Sequence, residues 1–353
     1  MKIEAQVELA PLTTLGVGGK AAHYARVENQ TELRAALAWA STNSVDVRVL
    51  GGGSNIVVAD SGFAGLVIDL ALRGIELDED GATVEVRAAA GEPWDAFVAT
   101  MVARDLQGLE CLSGIPGRVG ATPIQNVGAY GQDVGETIPR VTALDRKDGR
   151  ERDFSTQDCQ FSYRNSWFKS HEPGRFIVTR VSFRLQRGAP PALRYAELER
   201  IFADPAARAP SLLAVRDAVL QLRRGKSMLL DARDPNSRSC GSFFVNPVLD
   251  EAQCRAFAAR AENEGNVPQF PQADRRVKLS AGWLIEHAGF PRGTIDGAVG
   301  LSTKHALALV AHEGARAADI ARLAERIRRG VQARFGVELE PEPVFWGHQP
   351  TLA

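Results

Sequence analysis

A long glycine-rich segment, residues 112–138 (LSGIPGRVGATPIQNVGAYGQDVGETI), limits what this chain can fold into. It contains six glycines and two prolines, and few of its side chains are apolar. Ordering such a segment by itself would be costly in conformational entropy. Ile115, Val119, Ile124 and Val127 are spaced through it, which disfavours the alternative of a disordered loop. A long cofactor lying across the segment would supply the missing contacts.

A second glycine loop occurs at 49–55 (VLGGGSN), where Gly51 and its two following glycines would let backbone amides approach a phosphate closely. Asp69 lies about where a Rossmann unit places its ribose-binding acid. A Rossmann glycine loop must open a helix, however, and this one runs into the β-branched sequence IVVAD. The loop is therefore predicted to hold phosphate on another scaffold, with a plain tight turn as the alternative.

Length and charge limit the number of domains and the classes of partner. At roughly 150 residues per domain, 353 residues predict two or three domains. The net charge of -1 gives no electrostatic reason to expect nucleic acid or an anionic membrane as a partner. No apolar run approaches the about 20 residues that span a bilayer. The first residues, MKIEAQVELAPL, include Glu4 and lack an apolar core, so we expect no signal peptide.

The cysteines and histidines predict neither a disulfide framework nor a metal site. The four cysteines, at positions 111, 159, 240 and 254, form no C-x-x-C pair and show no zinc-type spacing to histidine. Reduced thiols in a cytoplasm are therefore expected. The six histidines are scattered along the chain, so we expect no metal site.

Hydrophobic periodicity predicts an α+β chain with separate cores. Helices are predicted over 31–41, 92–105, 211–226, 249–265 and 316–336, the last ending at Gly336. Strands are predicted within 46–60 and over 63–70, 83–91, 175–187 and 305–312, with a hairpin at 140–154 and strand texture from 337 onward. Residues 188–193 (GAPPAL) are the best candidate for a linker.

Residues 236–247 (NSRSCGSFFVNP) place Ser242 between a glycine and two phenylalanines. Gly241 would allow another molecule to approach, and Phe243 and Phe244 would exclude water. The residues alone favour a serine that is hydrogen-bonded within a loop. The alternative is a proton donor held in a dry site.

The chain resembles the UDP-N-acetylenolpyruvoylglucosamine reductase family over nearly its whole length. The matching blocks occur in the family's order: LTTLGVGGKA (12–21), LGGGSN (50–55), SGIPGRVGATPIQNVGAYG (113–131), YRNSWFK (163–169), GSFFVNP (241–247), KLSAGWLIE (278–286) and LEPE (339–342). The third block is the most specific. The resemblance implies an FAD-binding fold of the vanillyl-alcohol-oxidase (PCMH) type with a C-terminal α+β substrate-binding domain.

The resemblance also implies the domain division, the cofactors and the partners. Residues 1–70, joined by the tail 337–353, would form one FAD-binding subdomain, 71–190 the second, and 191–336 the substrate-binding domain. FAD would be bound non-covalently and NADPH would be the reductant. The substrate would be the enolpyruvyl ether of a UDP-sugar, and the enzyme would be a monomer in the bacterial cytoplasm.

Three residues would carry the chemistry that the resemblance implies. Ser242 would donate a proton to the carbon that bears the substrate carboxylate, because a positioned hydroxyl can protonate a strongly basic enolate. Arg164 would stabilise the enolate with a permanent positive charge. Glu342 would polarise the substrate carboxyl region or orient Arg164, with Glu340 as the competing assignment.

The resemblance assigns further residues to cofactor and substrate. The predicted cofactor contacts are Leu50, Gly51, Gly52, Gly53, Ser54, Asn55, Ser113, Gly114, Ile115, Pro116, Gly117, Gly120, Ala121, Gln125, Asn126, Gly128, Ala129, Tyr130 and Gly131. The predicted substrate contacts are Tyr163, Tyr195, Lys226, Asn246, Lys278 and His305, with Tyr195 matching the tyrosine that covers the nucleotide diphosphate in the longer subtype of the family.

The chain departs from the family pattern at three places. Pro343 and Val344 follow the second glutamate where the family often has valine and a basic residue, and His305 replaces a glutamine. Cys240 stands where other small residues are common, and a buried inert thiol is expected there. An FAD oxidase of the same fold and a non-catalytic nucleotide-sugar sensor are the alternative functions. The glycine loops lack the histidine through which many such oxidases attach flavin.

Overall fold

The computed structural model describes residues 1–204, 209–262, 265–272 and 274–347. The chain forms two compact units, each assembled from segments distant in the sequence. The first unit contains Met1–Val7, Ala22–Gly52 and Ala64–Gly225. The second contains Glu8–Ala21, Gly53–Phe63 and Lys226–Ala353, described as far as residue 347. These units group residues 191–225 with the first half of the chain, and the three-part domain division stays a prediction.

Helices and strands alternate along the described residues. The helices are α1 Gln30–Thr42, α2 Trp94–Ala103, α3 Thr156–Cys159, α4 Trp167–Ser170, α5 Ala196–Ile201, α6 Leu212–Gly225, α7 Glu251–Arg260, α8 Ala281–His287 and α9 Ala317–Phe335. The strands are β1 Glu4–Glu8, β2 Lys20–Val27, β3 Val47–Leu50, β4 Ile56–Val58, β5 Phe63–Leu70, β6 Ile75–Asp80, β7 Thr83–Ala89, β8 Leu106–Gln107, β9 Gly128–Ala129, β10 Gln132–Asp133, β11 Arg140–Asp145, β12 Glu151–Ser155, β13 Phe176–Arg187, β14 Val248–Leu249, β15 Gln269–Pro271, β16 Val277–Leu279, β17 Ile295–Asp296, β18 Val299–Leu301, β19 Leu309–Ala311 and β20 Val344–Trp346.

The first unit contains most of a four-stranded sheet and a six-stranded sheet. The four-stranded sheet has the order β1-β2-β5-β3, and β3 runs parallel to β5. The six-stranded sheet has the order β12-β11-β13-β7-β6, with β8 also paired to β13. The predicted hairpin at 140–154 is confirmed, because β11 and β12 pair antiparallel around Gly149, whose φ of 69° is the left-handed conformation that glycine adopts readily.

Helix α2 packs the centre of the first unit. Its sequence buries Trp94, Phe97 and Met101 completely, and the Phe97 ring lies 5.0 Å from that of Phe183 on β13. The helix α1 begins at Asn29, whose side chain accepts a hydrogen bond from the Glu32 amide. Both helices form within a few residues of their predicted bounds.

The second unit is built around helix α9. The predicted apolar stripe of this helix, from Ile320 to Phe335, is buried, and the helix ends at Gly336 with a φ of 70°. Two three-stranded sheets, β14-β16-β15 and β17-β18-β19, and the parallel pair β4-β20 complete the unit. None of the helices in the described part of the chain is both long and apolar enough to cross a bilayer.

Three predicted elements of the second unit are shorter than expected. The strand predicted over 305–312 forms only at β19, because residues 305–308 turn back, with the Ala308 amide donating to the His305 carbonyl. The helix predicted over 249–265 is α7, which ends at Arg260; residues 263 and 264 lie outside the described residues. In the tail only β20 is a strand, and residues 348–353 also lie outside the description.

A buried carboxylate at the end of β11 makes the first unit sensitive to acid. Asp145 is fully buried, and both of its oxygens accept hydrogen bonds from the guanidinium of Arg175, at 3.0 and 2.7 Å. These bonds, helped by Arg152 and the Lys147 amide and opposed by burial, hold the pKa of Asp145 well below its usual range.

We expect Asp145→Asn to lower the unfolding free energy most at neutral pH. A carboxyl whose folded pKa is depressed stabilises the protein above its ordinary pKa, and this stabilisation is lost as the pH falls. The gap between wild type and variant should therefore narrow as the pH drops below about 4. Denaturant midpoints measured between neutral pH and the acid limit of solubility will test this. A gap that does not change with pH would contradict it.

Candidate functional site

The glycine-rich segment is ordered through backbone hydrogen bonds to the start of helix α2. The Trp94 amide donates to the Gly117 carbonyl at 3.0 Å, and the Trp94 indole N–H donates to the Leu112 carbonyl at 3.0 Å. The Gly120 amide donates to the Ala90 carbonyl at 2.9 Å. The segment contains short 3₁₀ turns and the small hairpin β9-β10, so it is a shaped loop, and the alternative of disorder is rejected.

The two glycine loops of the first unit meet backbone to backbone. A Cβ added to Gly52 would lie 2.5 Å from the Cα of Gly117, so the first loop has no room for a side chain at that position. A Cβ added to Gly51 would lie 3.6 Å from the Cβ of Ala121, which is an ordinary contact distance. Peptide backbone without side chains is what close approach to a phosphate or a ring system requires. Gly51 leaves such backbone open to a phosphate of a nucleotide cofactor, whereas Gly52 is needed for the contact between the two loops.

We expect Gly52→Ala to weaken FAD binding. The added methyl would meet the backbone of residue 117, which can move only by separating the two loops. Overpacking of this kind costs about 1–3 kcal/mol, which predicts an FAD affinity roughly 5- to 150-fold lower. The measurement is titration of apoprotein with FAD. Gly225→Ala is the matched control, since no atom lies within 4 Å of a Cβ at that position. Unchanged affinity in Gly52→Ala would contradict the prediction.

Arg118 fastens the glycine-rich segment to strand β5. Its guanidinium bonds to the carboxylate of Asp69 and to the Leu70 carbonyl, the latter at 2.6 Å. Asp69 is 4% exposed and also accepts from the Tyr24 hydroxyl at 2.9 Å and from Arg26 at 3.3 Å. The acid at the position where a Rossmann unit binds ribose thus serves as an anchor for the loop.

Arg164 lies at the tip of a two-residue turn in the first unit. Ser162 and Asn165 exchange two backbone hydrogen bonds of 3.1 Å, which closes the turn around Tyr163 and Arg164. Arg164 has a φ of 54°, a left-handed conformation that is strained for a residue with a side chain. Its half-buried guanidinium donates to the Gly128 carbonyl at 2.8 Å and lies 5.7 Å from the centre of the Tyr163 ring.

Two further predicted cofactor residues share this left-handed conformation. Asn126 has a φ of 46° and Tyr130 a φ of 50°. Such strain clusters at functional sites, where the surrounding structure enforces it. Burial raises the pKa of Tyr130 to about 12, and its ring contacts Tyr195 edge to face, with centroids 5.3 Å apart. Tyr195 itself is 38% exposed, as a residue that covers a ligand would be.

The other predicted cofactor contacts of the first unit occupy the loops or their ends. Leu50 ends β3 and is buried, and the Ser113 hydroxyl donates to the Glu110 carbonyl at 2.6 Å. The Gly114 amide donates to Asp95, at 2.6 Å. The half-buried or exposed remainder is Ile115, Pro116, Ala121, Gln125, Ala129 and Gly131.

Ser242 lies in an extended segment of the second unit that pairs with the segment of Glu342. The Glu342 amide donates to the Phe243 carbonyl at 2.9 Å, and Phe244 bridges antiparallel to Pro341. Phe243 and Phe244 are both buried, whereas Ser242 is half-buried. Gly241 has a φ of 73°, so the chain turns immediately before the serine. The structure thus brings two of the three predicted catalytic residues into one hydrogen-bonded pair of segments.

The two candidate glutamates differ in exposure. Glu340 is exposed, and its carbonyl accepts from the Val245 amide, whereas Glu342 is half-buried. The side-chain amide of Asn55 donates to the Glu342 carbonyl at 3.2 Å, and the Val344 amide donates to the Asn55 carbonyl at 3.0 Å. The glycine loop at 53–55 is therefore bonded directly to the Glu342 segment, and the choice between the two glutamates stays a prediction.

Cys240 is a buried thiol, as expected. Its sulfur donates to the Ile56 carbonyl at 3.5 Å. Burial raises the pKa of the Cys240 thiol to about 12, and the nearby Glu342 carboxylate adds to the shift. The thiol therefore stays protonated at neutral pH and is a poor nucleophile.

The predicted substrate residues of the second unit differ in how the protein uses them. The side-chain oxygen of Asn246 accepts from the Ala281 amide at 2.9 Å, and Nδ1 of His305 accepts from the Leu307 amide at 3.1 Å. These bonds fix the two side chains at the start of helix α8 and before β19. Lys278 lies in β16, opposite Val248, and Lys226 begins the last of the three segments of the unit. All four are half-buried, and their substrate contacts stay predictions.

Sequence reasoning missed the residues that hold the loops in place. Arg118 and Asp69 form the anchor described above, and Ser166 donates to the Ile124 carbonyl at 2.5 Å. Such bonds join residues far apart in the sequence, so no local pattern indicates them. One signal was available: asparagine tolerates the left-handed conformation better than most residues, which fits Asn126.

Comparison with known proteins places the chain in a family. The FAD binding domain family matches residues 21–155, and the family described as UDP-N-acetylenolpyruvoylglucosamine reductase, C-terminal domain, matches residues 234–346. The UDP-N-acetylenolpyruvoylglucosamine reductase of Thermobifida fusca is 48% identical over 347 residues, covering 97% of both chains. That of a Mycobacterium species (strain MCS) is 48% identical over 350 residues, covering 98% of this chain and 97% of the relative.

A solved structure agrees with these relatives. The crystal structure of UDP-N-acetylenolpyruvylglucosamine reductase (MurB) from Thermus caldophilus superposes with a TM-score of 0.67 at 28% identity. The match covers 98% of this chain and 99% of that one. The predicted α+β FAD-binding fold is therefore confirmed.

Proposed function

Because the chain belongs to the UDP-N-acetylenolpyruvoylglucosamine reductase family, we propose that it reduces UDP-N-acetyl-3-O-(1-carboxyvinyl)-glucosamine to UDP-N-acetylmuramate, with NADPH as reductant. Family membership makes it an FAD-dependent oxidoreductase of peptidoglycan precursor synthesis. The main structural support for the proposal is the hydrogen-bonded pairing of the Ser242 and Glu342 segments.

Reduction of the enolpyruvyl double bond adds a hydride to the methylene carbon and a proton to the carbon that bears the carboxylate. Bound FAD, held non-covalently by the glycine loops, supplies the capacity to accept a hydride from NADPH and deliver it to the substrate. The residues of the chain then have two tasks, which are to stabilise the enolate and to protonate it.

Ser242 is proposed as the proton donor. Its hydroxyl is half-buried beside two buried phenylalanines, so water competes weakly for the enolate carbon. Gly241 adds no side chain next to the hydroxyl, and its positive φ sets the direction of the segment. Positioned proton transfer of this kind contributes about 10²–10⁴ in rate.

Arg164 and Glu342 are proposed to stabilise the negative charge that develops next to the substrate carboxylate. The Arg164 guanidinium is fixed by the Gly128 carbonyl and is half-buried, which strengthens its attraction for a developing negative charge. Glu342 is held by backbone bonds to Phe243 and Asn55, which fix where its side chain begins. We propose that its carboxyl polarises the substrate carboxylate or orients Arg164.

We further propose that Tyr163, Tyr195, Lys226, Asn246, Lys278 and His305 contact the UDP-sugar. We also propose that the enzyme is a cytoplasmic monomer, and that residues 191–336 form the substrate-binding domain, to which Tyr163 adds a contact from outside.

The two half-reactions test the function. The purified protein should be yellow, anaerobic NADPH should bleach it, and the enolpyruvyl nucleotide should restore the colour while UDP-N-acetylmuramate appears by mass spectrometry. An oxidase of the same fold would instead be reduced by an alcohol or hydroxy acid and reoxidised by oxygen. A reduced protein that does not respond to the enolpyruvyl nucleotide would overturn the proposal.

A further inference from the structure

Asn126 is bonded at both ends of its side-chain amide within the first unit. Its oxygen accepts a hydrogen bond from the Gly135 amide at 2.9 Å, and its nitrogen donates to the Ser162 carbonyl at 3.0 Å. Asn126 is 4% exposed. Ser162 is the first residue of the turn that presents Arg164. The amide thus links the glycine-rich segment to the base of that turn.

A second bond holds the other end of the turn. The Ser166 hydroxyl donates to the Ile124 carbonyl at 2.5 Å, and Ser166 is buried. The Arg164 guanidinium itself donates to the Gly128 carbonyl. Residue 126 therefore holds the start of the turn, residue 124 its end, and residue 128 the charged group at its tip.

The turn needs this support because its conformation is strained. Arg164 is in the left-handed region, which is unfavourable for a residue with a Cβ. A long arginine side chain also has many rotamers, and catalysis requires the guanidinium to be held within about 0.5 Å of its productive place. The bond from the Asn126 amide to the Ser162 carbonyl supports the backbone of the turn, and the bond from the Arg164 guanidinium to the Gly128 carbonyl limits the side-chain rotamers.

We propose that Asn126 is a positioning residue for Arg164, acting through the Ser162 carbonyl and not only as part of the cofactor loop. The inference rests on the function proposed above, in which Arg164 stabilises the substrate enolate. It predicts that the loop that binds the flavin also sets the place of the catalytic arginine.

Asn126→Gly is the variant of choice, because glycine keeps the left-handed backbone and removes the side chain with its amide. Both ends of that amide are bonded within the protein, so a contact of Asn126 with FAD would come from its backbone, which the variant keeps. We therefore expect FAD content and the rate of flavin reduction by NADPH to stay close to wild type. Reoxidation at saturating enolpyruvyl nucleotide should slow by about 10²-fold, the cost of a misplacement of roughly 1 Å. The loss should appear in kcat more than in KM.

Thr122→Val is the matched control. Its hydroxyl makes a buried bond of 2.8 Å to the Val119 carbonyl in the same segment, but none of the contacts described above joins it to the turn. This variant should keep the wild-type rate of reoxidation.

The double variant Asn126→Gly/Arg164→Met separates positioning from an independent role. If Asn126 acts through Arg164, the double variant should be no slower than Arg164→Met alone. Additive losses, loss of FAD, or an unchanged reoxidation rate in Asn126→Gly would each overturn the inference. Should Asn126→Gly fail to fold, Ser166→Ala tests the same support from the other end of the turn and should show the same kcat loss and the same non-additivity.

Failure of the proposed function gives a different result. In that case the wild-type enzyme itself would not be reoxidised by the enolpyruvyl nucleotide. The inference about Asn126 fails only when the enolpyruvyl nucleotide reoxidises wild type and the variants show additive losses, loss of FAD or an unchanged rate of reoxidation.

Discussion

Replacement of Ser242 by alanine is expected to slow reoxidation of the reduced enzyme by its enolpyruvyl substrate by about 10²–10⁴-fold. The variant should still be reduced by NADPH at a rate near wild type, because that step requires no proton from Ser242. The backbone bonds on either side of the residue, such as that from the Glu342 amide to the Phe243 carbonyl, do not involve the hydroxyl and should be retained. Anaerobic stopped-flow absorbance of the flavin measures both steps separately.

Ser237→Ala is the matched control for this prediction. The Ser237 hydroxyl donates to the Asp231 carbonyl at 2.7 Å, in the loop that precedes Ser242. The variant should keep the wild-type rate of reoxidation. Equal reoxidation rates in wild type and Ser242→Ala would reject the proton-donor role. The proton that is added to the carbon bearing the carboxylate would then have to come from another group or from water.

Replacement of Asp69 by asparagine is expected to lower the free energy of unfolding of the first unit by about 1–3 kcal/mol, because the nearly buried carboxylate loses the charge-assisted bonds that it accepts from Arg118 and Arg26. Arg118 keeps its bond to the Leu70 carbonyl on β5, and Arg26 keeps its ion pair with Glu28, so the anchor on β5 is weakened. Since Arg118 belongs to the glycine-rich segment, FAD binding should weaken as well. Chemical denaturation and FAD titration measure the two effects.

Glu79→Gln provides the comparison for Asp69→Asn. Its ion pair with Arg187, at 2.8 Å, joins two side chains that are each about half exposed. Exposed pairs contribute about 0–1 kcal/mol, so this variant should hardly change stability. If both variants unfold at the same denaturant concentration as wild type, the contacts of Asp69 contribute no more to the free energy of unfolding than an exposed ion pair does. The prediction would then be wrong.

Local patterns in the sequence predicted the five longest helices of the described residues, α1, α2, α6, α7 and α9, but fewer than half of the strands. Helix α9 follows from a continuous 3.6-residue apolar stripe that ends at a glycine, and the β11-β12 hairpin follows from an Asp-Gly turn between two strands. The strand predicted over 305–312 failed in its first half because alternation of apolar residues does not reveal a turn closed by a backbone bond. Strand β20 is short because pairing with β4, and not propensity, decides its length.

The candidate site depended on family resemblance more than on pattern. Ser242 alone looked like a loop serine, and only the surrounding block suggested a proton donor. The structure adds what no single stretch contains, namely the half-burial of Glu342 against the exposure of Glu340 and the bonds from Asn126 and Ser166 to the arginine turn. These are long-range contacts, which depend on the completed fold and leave no local period in the sequence.

The parallel pairing of β4 with β20 has a consequence for biosynthesis. Asn55, next to β4, is bonded to Glu342, a residue 287 positions later in the chain. At about 5–20 residues per second, a ribosome needs roughly 15–60 s to make that stretch. Strand β4 therefore has no β20 to pair with during this time, and its edge is exposed in the nascent polypeptide. Chaperones that shield exposed edges should associate with this enzyme during translation and dissociate once the second unit closes.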